Sequence, residues 1–413
     1  MLDRSEVSVM VLDDEPFILK LMGRVLVQLG FDRVTTCGNG PAALQWVDAQ
    51  QTCDLKLILC DLNMPEMDGV EFLRKLVDHR YNGALIFISG EDERALQATE
   101  KLARAHDIMV LGALPKPVEP QRLERLVALL SPHSPCAPRV DRKCYGADAV
   151  RAAIAGGELV NHFQPQVCLA TGKVVGVESL VRWRHPEDGM VYPDRFIGVA
   201  EENGLIDDLT RVVVAGAFAQ ARHWQVQGLT LRMAVNVSMD NLASLDFPDY
   251  VAAQAAASGV SSRNIVLEVT ESRLPLDLRA PLEILTRLRL KRFGLSIDDF
   301  GTGHSSMKQL RDMPFDELKI DGSFVHGAAS RGLGTELAIY DASLGLAKQL
   351  DMQTVAEGIE DRADWDMVRR SGCHLAQGYF IAQPMPAADV PGWITSWTKR
   401  LQDETLLAEP RPS

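Results

Sequence analysis

The chain has 413 residues, of which 46% are hydrophobic and 24% charged, as in ordinary soluble globular proteins. Acidic residues outnumber basic ones by 56 to 43, which gives a net charge of −13. Binding to long nucleic acid requires a basic surface, so this composition argues against a DNA-binding function.

The N-terminal segment carries charged residues where a signal peptide would have its apolar core, and no apolar run of about 18 residues occurs. We therefore expect a cytoplasmic protein without a membrane span. The seven cysteines form no C-x-x-C pair, which favours free thiols in a reducing compartment.

The segment "SPHSPCAPR" (131–139) divides the chain, because proline lacks the N–H group that helices and central strands use. We predict a first domain at 1–130, a linker at 131–144, a second domain at 145–400 and a tail at 401–413.

Four short apolar runs alternate with amphipathic helical stretches in the first domain: "VSVMVL", "LKLILC", "ALIFIS" and "IMVLGAL". This alternation predicts a doubly wound α/β domain, with helices on both faces of a parallel sheet. Ligands bind at the carboxyl ends of the strands in such sheets. The polar residues at these ends are Asp13, Asp14, Asp61, Ser89 and Lys116.

These residue types indicate a phosphoryl-accepting site. Asp13 and Asp14 are predicted to hold Mg²⁺, which prefers oxygen ligands, and Asp61 to be the nucleophile that accepts a phosphoryl group. Ser89 and Lys116 would hold its oxygens. The alternative, helix caps and surface charges, explains one aspartate but not a polar residue after every strand.

The segments "VLDDEP", "LCDLNMPEMDG", "ISG" and "PKP" resemble the receiver domain of two-component response regulators. The resemblance implies a flavodoxin-like fold, phosphorylation of Asp61 by a sensor histidine kinase, and one Mg²⁺ or Mn²⁺ in a site that includes Asn63. Ala113 stands where receivers usually carry Tyr or Phe, so the route by which the signal leaves the domain stays open.

Strand-like runs with polar residues at their ends recur from residue 145 onward, at a spacing close to the roughly 30 residues per unit of a (β/α)8 barrel. The long gap between Glu178 and Asn236 is expected to hold two units. The active site of such barrels lies at the C-terminal ends of the strands. The residues predicted to meet there are Glu178, Asn236, Glu268, Asp298, Asp299, Lys319, Glu357 and Gln377.

Carboxylates that face one another repel, so the adjacent pair Asp298 and Asp299 predicts a metal site. Two hard cations about 3.5–4 Å apart would stabilise both the attacking and the leaving oxygen of an in-line displacement. The alternative is a set of charges that are solvated independently at the barrel mouth.

The segments "ESLVRWRHPEDGMVYPDRFIGVAEENGLI", "NVS", "LEVTES", "DDFGTGHSS", "LKID", "VAEGIE" and "AQGYFIAQPMP" resemble the EAL family of cyclic di-GMP phosphodiesterases, over about residues 145–395. The resemblance implies a TIM-like barrel that hydrolyses cyclic di-GMP to linear pGpG with two Mg²⁺ or Mn²⁺ ions. It also implies a homo-oligomer. The implied metal ligands are Glu178, Asn236, Glu268, Asp298, Asp299 and Glu357, with Asp299 shared between the ions.

Further roles follow from the same resemblance. Lys319 would hold the catalytic water, and Glu357 would be a ligand of the second ion or a general base. Gln377 would position the site, and Arg182 would contact a substrate phosphate, which suits the bidentate guanidinium. Glu271 would anchor the glycine-rich loop that follows Asp299.

The sequence departs from the family pattern at three positions: Ser179 replaces alanine in the signature triplet, and His304 and Met307 replace Tyr and Leu in the loop. Activity is expected to survive at Ser179, because serine is small and Glu178 is retained. His304 is either a loop side chain or a catalytic base.

Two functions are consistent with these patterns. The first is a receiver-controlled phosphodiesterase, and the second is a receiver-controlled cyclic di-GMP receptor or scaffold without catalysis. The retention of every ligand at the strand ends favours the enzyme. No "GGDEF"-like stretch occurs, so a second, cyclase activity is not expected.

Overall fold

The structure is a computed structural model and describes residues 4–49, 56–79, 81–90, 93–106, 108–130, 145–271, 279–302, 307–328 and 334–407. The chain divides into two compact units, Met1–Lys143 and Cys144–Ser413. The predicted linker at 131–144 lies outside the described residues. Within the described ranges, no helix is both long enough and apolar enough to cross a membrane.

The first unit contains a parallel five-stranded sheet in the order β2-β1-β3-β4-β5. Strands β1, β3 and β4 are buried along their whole length, as expected for a sheet that is covered on both faces. The strands are β1 (Ser8–Leu12), β2 (Arg33–Cys37), β3 (Lys56–Asp61), β4 (Ala84–Ser89) and β5 (Met109–Pro115).

In the described part of this unit, four helices connect the strands and a fifth follows β5, and one core lies on each side of the sheet. Met10 and Leu12 of β1 point into one core, and Val9 and Val11 into the other. The predicted flavodoxin-like fold is thus confirmed. The helices are α1 (Pro16–Gln28), α2 (Gly40–Ala49), α3 (Gly69–Asp78), α4 (Glu93–Ala105) and α5 (Pro120–Val127).

The second unit is a closed eight-stranded barrel in the order β6-β14-β13-β12-β11-β10-β9-β7, in which β7 pairs back to β6. This confirms the TIM-like barrel. The short strands β8 (Gly189–Val191) and β15 (Met385–Pro386) flank it. The barrel strands are β6 (Leu159–Cys168), β7 (Val174–His185), β9 (Arg232–Asn236), β10 (Ile265–Thr270), β11 (Gly294–Phe300), β12 (Glu317–Ile320), β13 (Gln353–Ala356) and β14 (Leu375–Ala376).

The barrel differs from the prediction in two respects. Strand β6 runs antiparallel to both of its neighbours, β7 and β14. The gap between Glu178 and Asn236 holds one crossover instead of two, because β7 pairs directly with β9, with Glu178 opposite Ala234. The gap is long because β7 continues into a hairpin with β8, which two helices follow. The prediction of two units in this gap was wrong, and the eighth strand is β6.

Helices surround the barrel, and the last of them extends the packed structure beyond the predicted boundary at residue 400. Leu406 is fully buried, and its carbonyl oxygen accepts hydrogen bonds from Trp365 Nε1 (3.0 Å) and Arg369 Nη1 (2.7 Å). The helices are α6 (Ala147–Gly156), α7 (Ile197–Glu202), α8 (Ile206–Val226), α9 (Phe247–Ser258), α10 (Arg279–Leu290), α11 (Met307–Asp312), α12 (Gly334–Gln349), α13 (Arg362–Arg370) and α14 (Val390–Asp403).

The loops after β12 and β13 touch backbone to backbone at two glycines. A Cβ atom on Gly358 would lie 2.5 Å from the Cα atom of Gly322, and Gly358 has a φ of +62°, which favours glycine. The amide of Glu357 donates to the carbonyl oxygen of Ile320 at 3.1 Å. The backbone that carries Glu357 is therefore held firmly against the neighbouring loop.

We expect Gly358→Ala to lower the free energy of unfolding by about 2–4 kcal/mol, because it combines left-handed strain of about 1 kcal/mol with overpacking of about 1–3 kcal/mol. The matched control is Gly204→Ala, where φ is +67° but nothing lies within 4 Å of the added Cβ. In that control the free energy of unfolding should fall only by the strain energy. Urea unfolding followed by tryptophan fluorescence measures both, and equal losses would contradict the close-contact explanation.

Candidate active site

Lys319 on β12 lies at the centre of a group of four carboxylates. Its Nζ atom is 2.7 Å from Glu357 Oε1, 3.1 Å from Glu268 Oε2 and Asp298 Oδ1, and 3.3 Å from Glu178 Oε2. The lysine is fully buried. One positive charge thus faces four carboxyl groups. If these groups are ionised, the site carries excess negative charge, which further cations could neutralise.

The pKa values reflect this imbalance. Burial by itself would lower the pKa of Lys319, but the surrounding carboxylates raise it well above its usual value. Burial raises the pKa of Glu268 well above the usual range, and Lys319 offsets this only in part. At Glu178, burial is outweighed by Lys319 and by hydrogen bonds from Gln377 and Asn236, which lower the pKa. Glu178 is therefore the carboxylate whose charge is best supported.

The two adjacent aspartates lie at an irregularity in β11. Neighbouring side chains of a regular strand point to opposite faces. Here the pairing with β12 shifts between Ile297 and Phe300, and Asp299 adopts a φ of +55°. As a result Asp298 and Asp299 both place an oxygen in one group with Glu357. Burial and the neighbouring Asp298 raise the pKa of Asp299 to about 6.

Two groups of carboxylates have the geometry of cation sites. Glu178, Glu268 and Asp298 form one group, and Asp298, Asp299 and Glu357 form the other, with oxygens within 4.8 Å of one another in each. Asp298 belongs to both groups, whereas the sequence analysis assigned the shared position to Asp299. Among the described residues, Glu268 Oε1 is buried and has no hydrogen-bond partner. This all-oxygen donor set fits hard divalent cations.

Asn236 and Gln377 both donate hydrogen bonds to Glu178. Asn236 Nδ2 lies 2.7 Å from Glu178 Oε1, so the Oδ1 atom of Asn236 is the one available for a cation. Gln377 Nε2 lies 2.5 Å from Glu178 Oε2 and 3.0 Å from Gln164 Oε1. The structure therefore places both predicted residues next to the carboxylate group.

Gln164 and Gln166 of β6 were missed by the sequence analysis. Gln164 Nε2 donates to the carbonyl oxygen of Ala382 (3.0 Å), which can only accept, so Gln164 Oε1 must face Gln377. Gln166 Nε2 donates to Gln377 Oε1 at 2.9 Å. These contacts fix the orientation of the Gln377 amide and direct its Nε2 toward Glu178. The available signal was two glutamines at i and i+2, which place both side chains on one face of a strand.

Arg182 lies on β7, on the same face as Glu178 and four residues further along. It is 7% exposed, its Nη1 atom donates to the Val181 carbonyl oxygen at 2.8 Å, and its Cζ atom lies 5.1 Å from the centre of the Tyr192 ring. Burial lowers the pKa of this guanidinium. It forms no ion pair with a carboxylate in the part of the chain that the structure describes, so its charge is available to an anion.

Glu271 contacts the start of the glycine-rich loop. Its Oε2 atom accepts a hydrogen bond from the amide of Gly301 at 2.7 Å. His304 lies outside the described residues, as does the side chain of Met307. Ser179 is buried, and its Oγ atom has no hydrogen-bond partner among the described residues. It lines a cavity of about 230 Å³ behind the site.

The predicted residues of the first unit also lie together, at the carboxyl edge of the sheet. Lys116 Nζ is 2.8 Å from Asp61 Oδ2 and 2.9 Å from Asp13 Oδ2. Burial raises the pKa of Asp61 in spite of the contact with Lys116. Asp13, Asp14 and Asp61 each place an oxygen within 4.8 Å of the others, which fits one divalent cation.

Two further predicted residues belong to this edge of the sheet, Asn63 and Ser89. The amide of Asn63 donates to Asp61 Oδ1 at 3.3 Å, and buried Ser89 ends β4. The carbonyl oxygen of Ser89 accepts from the amide of Lys116 at 2.9 Å. Ala113 lies on β5 opposite Phe87 and leaves no aromatic side chain at that position.

Comparison with known proteins supports the same division of the chain. The family model described as "Response regulator receiver domain" matches residues 9–128, and the model described as "EAL domain" matches residues 147–384. The chain is 30% identical over 388 residues to "Cyclic di-GMP phosphodiesterase RocR" of Pseudomonas aeruginosa, and the match covers 92% of this chain and 97% of RocR.

Other relatives match the second unit. "Cyclic di-GMP phosphodiesterase NbdA" of Pseudomonas aeruginosa is 38% identical over 251 residues, which are 60% of this chain and only 32% of NbdA. The solved structure "PaMucR Phosphodiesterase, c-di-GMP complex" is similar with a TM-score of 0.56 and 37% identity, over 59% of this chain and 98% of that chain. From these matches and the fold, the chain belongs to the EAL domain family, in the receiver–EAL architecture of a response regulator.

Proposed function

We propose that the second unit hydrolyses cyclic di-GMP to linear pGpG, and that phosphorylation of Asp61 in the first unit controls this activity. The observation that carries the proposal is the group of four carboxylates around Lys319, whose negative charge exceeds that of the lysine. Beside it lies the buried Arg182 guanidinium, which forms no ion pair with a carboxylate of the described residues. The similarity to RocR and NbdA, both named as cyclic di-GMP phosphodiesterases, supports it.

The proposed ligands form two sets that share one residue. Glu178, Glu268 and Asp298, with Asn236 Oδ1, would hold one Mg²⁺ or Mn²⁺ ion. Asp298, Asp299 and Glu357 would hold the second. When bound, such ions lower the pKa of a water molecule and offset charge on the reacting phosphate.

The chain's own side chains would bind the reactants and handle the proton. The Lys319 ammonium donates hydrogen bonds and so would hold the oxygen of the attacking water. Glu357 lies 2.7 Å from Lys319 and is in position to accept the proton that this water loses. Arg182 would bind the non-bridging oxygens of a phosphate through two N–H groups. Gln377 would keep Glu178 in its ligating orientation.

In the first unit we propose phosphoryl transfer to Asp61. One oxygen of Asp61 would attack the phosphorus of a phosphohistidine on a sensor kinase, and the histidine nitrogen would leave. Lys116 Nζ and the Ser89 hydroxyl would donate hydrogen bonds to the transferred phosphoryl oxygens. A cation at Asp13 and Asp14 would offset their charge.

Addition of Mg²⁺ or Mn²⁺ should stabilise the protein, because cations relieve the repulsion among the carboxylates. At a free-ion concentration one hundred times the dissociation constant, the gain is about 2.7 kcal/mol, and the melting temperature should rise by several degrees. Thermal unfolding in an Asp13→Asn background, which removes the receiver site, measures this effect. When Asp298→Asn is added to that background, most of the metal-induced rise in melting temperature should be lost. Without metal, the double variant should be at least as stable as Asp13→Asn alone. An undiminished shift would contradict the assignment of Asp298.

Glu178→Ala should lower turnover of cyclic di-GMP by more than about 100-fold, because loss of a direct ligand should exceed the 10–100-fold effect of outer-shell changes. Chromatography of the nucleotides after incubation with Mg²⁺ or Mn²⁺ measures the formation of pGpG. The control is Glu202→Ala, an exposed glutamate on α7, which should match the wild type. If the wild-type protein bound cyclic di-GMP without turnover, it would be a cyclic di-GMP receptor and not a phosphodiesterase.

Asp61→Ala should leave the chemistry in the second unit intact and remove its response to phosphorylation. The measurement is the rate of pGpG formation before and after treatment with acetyl phosphate, a small phosphoryl donor. The wild-type rate should change, and the variant rate should stay constant. A variant that still responds would show that the acceptor is a different residue.

A further inference from the structure

Tyr192 is an exposed aromatic residue at the rim of the candidate active site. Its side chain is 57% exposed, and the guanidinium of Arg182 lies over one part of its ring, 5.1 Å from the centre. Arg182 itself is only 7% exposed. A nearly buried cation on β7, the strand that carries Glu178, and a largely open aromatic ring directly after β8 therefore lie side by side.

The backbone holds Tyr192 in this place. Val191, the preceding residue, pairs with Trp183 in the hairpin of β7 and β8. Tyr192 is followed by a 3-10 helix that begins at Pro193, and its carbonyl oxygen accepts a hydrogen bond from the amide of Arg195 at 3.1 Å. The ring is thus attached to a paired strand on one side and a helical turn on the other.

A comparable pair elsewhere in the unit shows what is unusual about Tyr192. Arg211 lies over the ring of Tyr250 at 4.2 Å, but there the tyrosine hydroxyl donates to the Arg211 carbonyl oxygen at 3.0 Å and the pair joins two outer helices, α8 and α9. Among the described residues, the Tyr192 hydroxyl makes no such bond. The Tyr250 pair is structural, whereas the Tyr192 ring stays open to a ligand.

A nucleotide has two groups that a protein can recognise here. Its phosphate binds a cation, and its base stacks on an exposed aromatic ring. We propose that Tyr192 stacks on a guanine base of the dinucleotide while its contact with Arg182 holds the guanidinium toward a phosphate. This inference rests on the proposed substrate. It assigns base recognition at the rim to Tyr192, and it makes Tyr192 a determinant of KM.

The first test compares KM and kcat for cyclic di-GMP in the wild type, Tyr192→Ser, Tyr192→Phe and the control Tyr250→Ser. Base stacking on an aromatic ring predicts that Tyr192→Ser raises KM roughly 5- to 100-fold with little change in kcat. Tyr192→Phe keeps the ring and should behave as the wild type, and Tyr250→Ser should leave KM unchanged. A KM for Tyr192→Ser within about twofold of the wild type would overturn the proposal.

The second test separates stacking from the positioning of Arg182. GMP has a base and a phosphate on its ribose, whereas ribose 5-phosphate has the phosphate but no base. As competitive inhibitors, GMP should lose more affinity than ribose 5-phosphate in Tyr192→Ser, and equal losses would refute stacking. If the wild-type protein showed no turnover, the proposed function would fail, and the affinities of cyclic di-GMP for the same variants, measured by calorimetry, would still decide the role of Tyr192.

Discussion

The contact of one ammonium group, Lys319 Nζ, with four carboxylates is the interaction on which the second unit depends. The carboxylates come from β7, β10, β11 and the loop after β13, so only a closed barrel brings them to one point. Burial of these groups is costly unless each charge is paired. The lysine pairs them in part, and in the proposed function divalent cations would balance the remaining negative charge.

The same constraint explains local features that would otherwise weaken the fold. A left-handed aspartate in a strand is strained, yet at Asp299 it allows two adjacent carboxylates to face one site. The backbone contact between Gly322 and Gly358 leaves no room for a side chain, and it fixes the loop that carries Glu357. Three buried glutamines on and beside β6 orient Glu178 through a directed series of hydrogen bonds.

The sequence was sufficient for the architecture because apolar runs with polar ends mark parallel strands and their functional edge. It was insufficient for β6, which was not predicted as a strand because its segment "LVNHFQPQVC" mixes polar residues and a proline with apolar ones. The length of the gap before Asn236 led to a wrong prediction of two barrel units, because a hairpin and two helices occupy as many residues as two units.

At the site, the identity of single residues was easier to predict than which residues contact one another. Asp298 and Asp299 were both recognisable as acids at a strand end, but only the positions of their oxygens in the folded barrel place Asp298 in both carboxylate groups. Gln164 and Gln166 were missed because a buried glutamine looks like a surface residue until its partners, Gln377 and Ala382, are brought next to it across the barrel.

The most direct test of the central claim is the anomalous scattering of a crystal of the protein grown with Mn²⁺. If the two carboxylate groups hold two cations, two peaks should appear in the second unit, about 3.5–4 Å apart. One should be coordinated by Glu178, Glu268 and Asp298, and the other by Asp298, Asp299 and Glu357. The absence of both peaks at saturating Mn²⁺, with Lys319 still the only cation among the four carboxylates, would show that the carboxylates do not form a metal site.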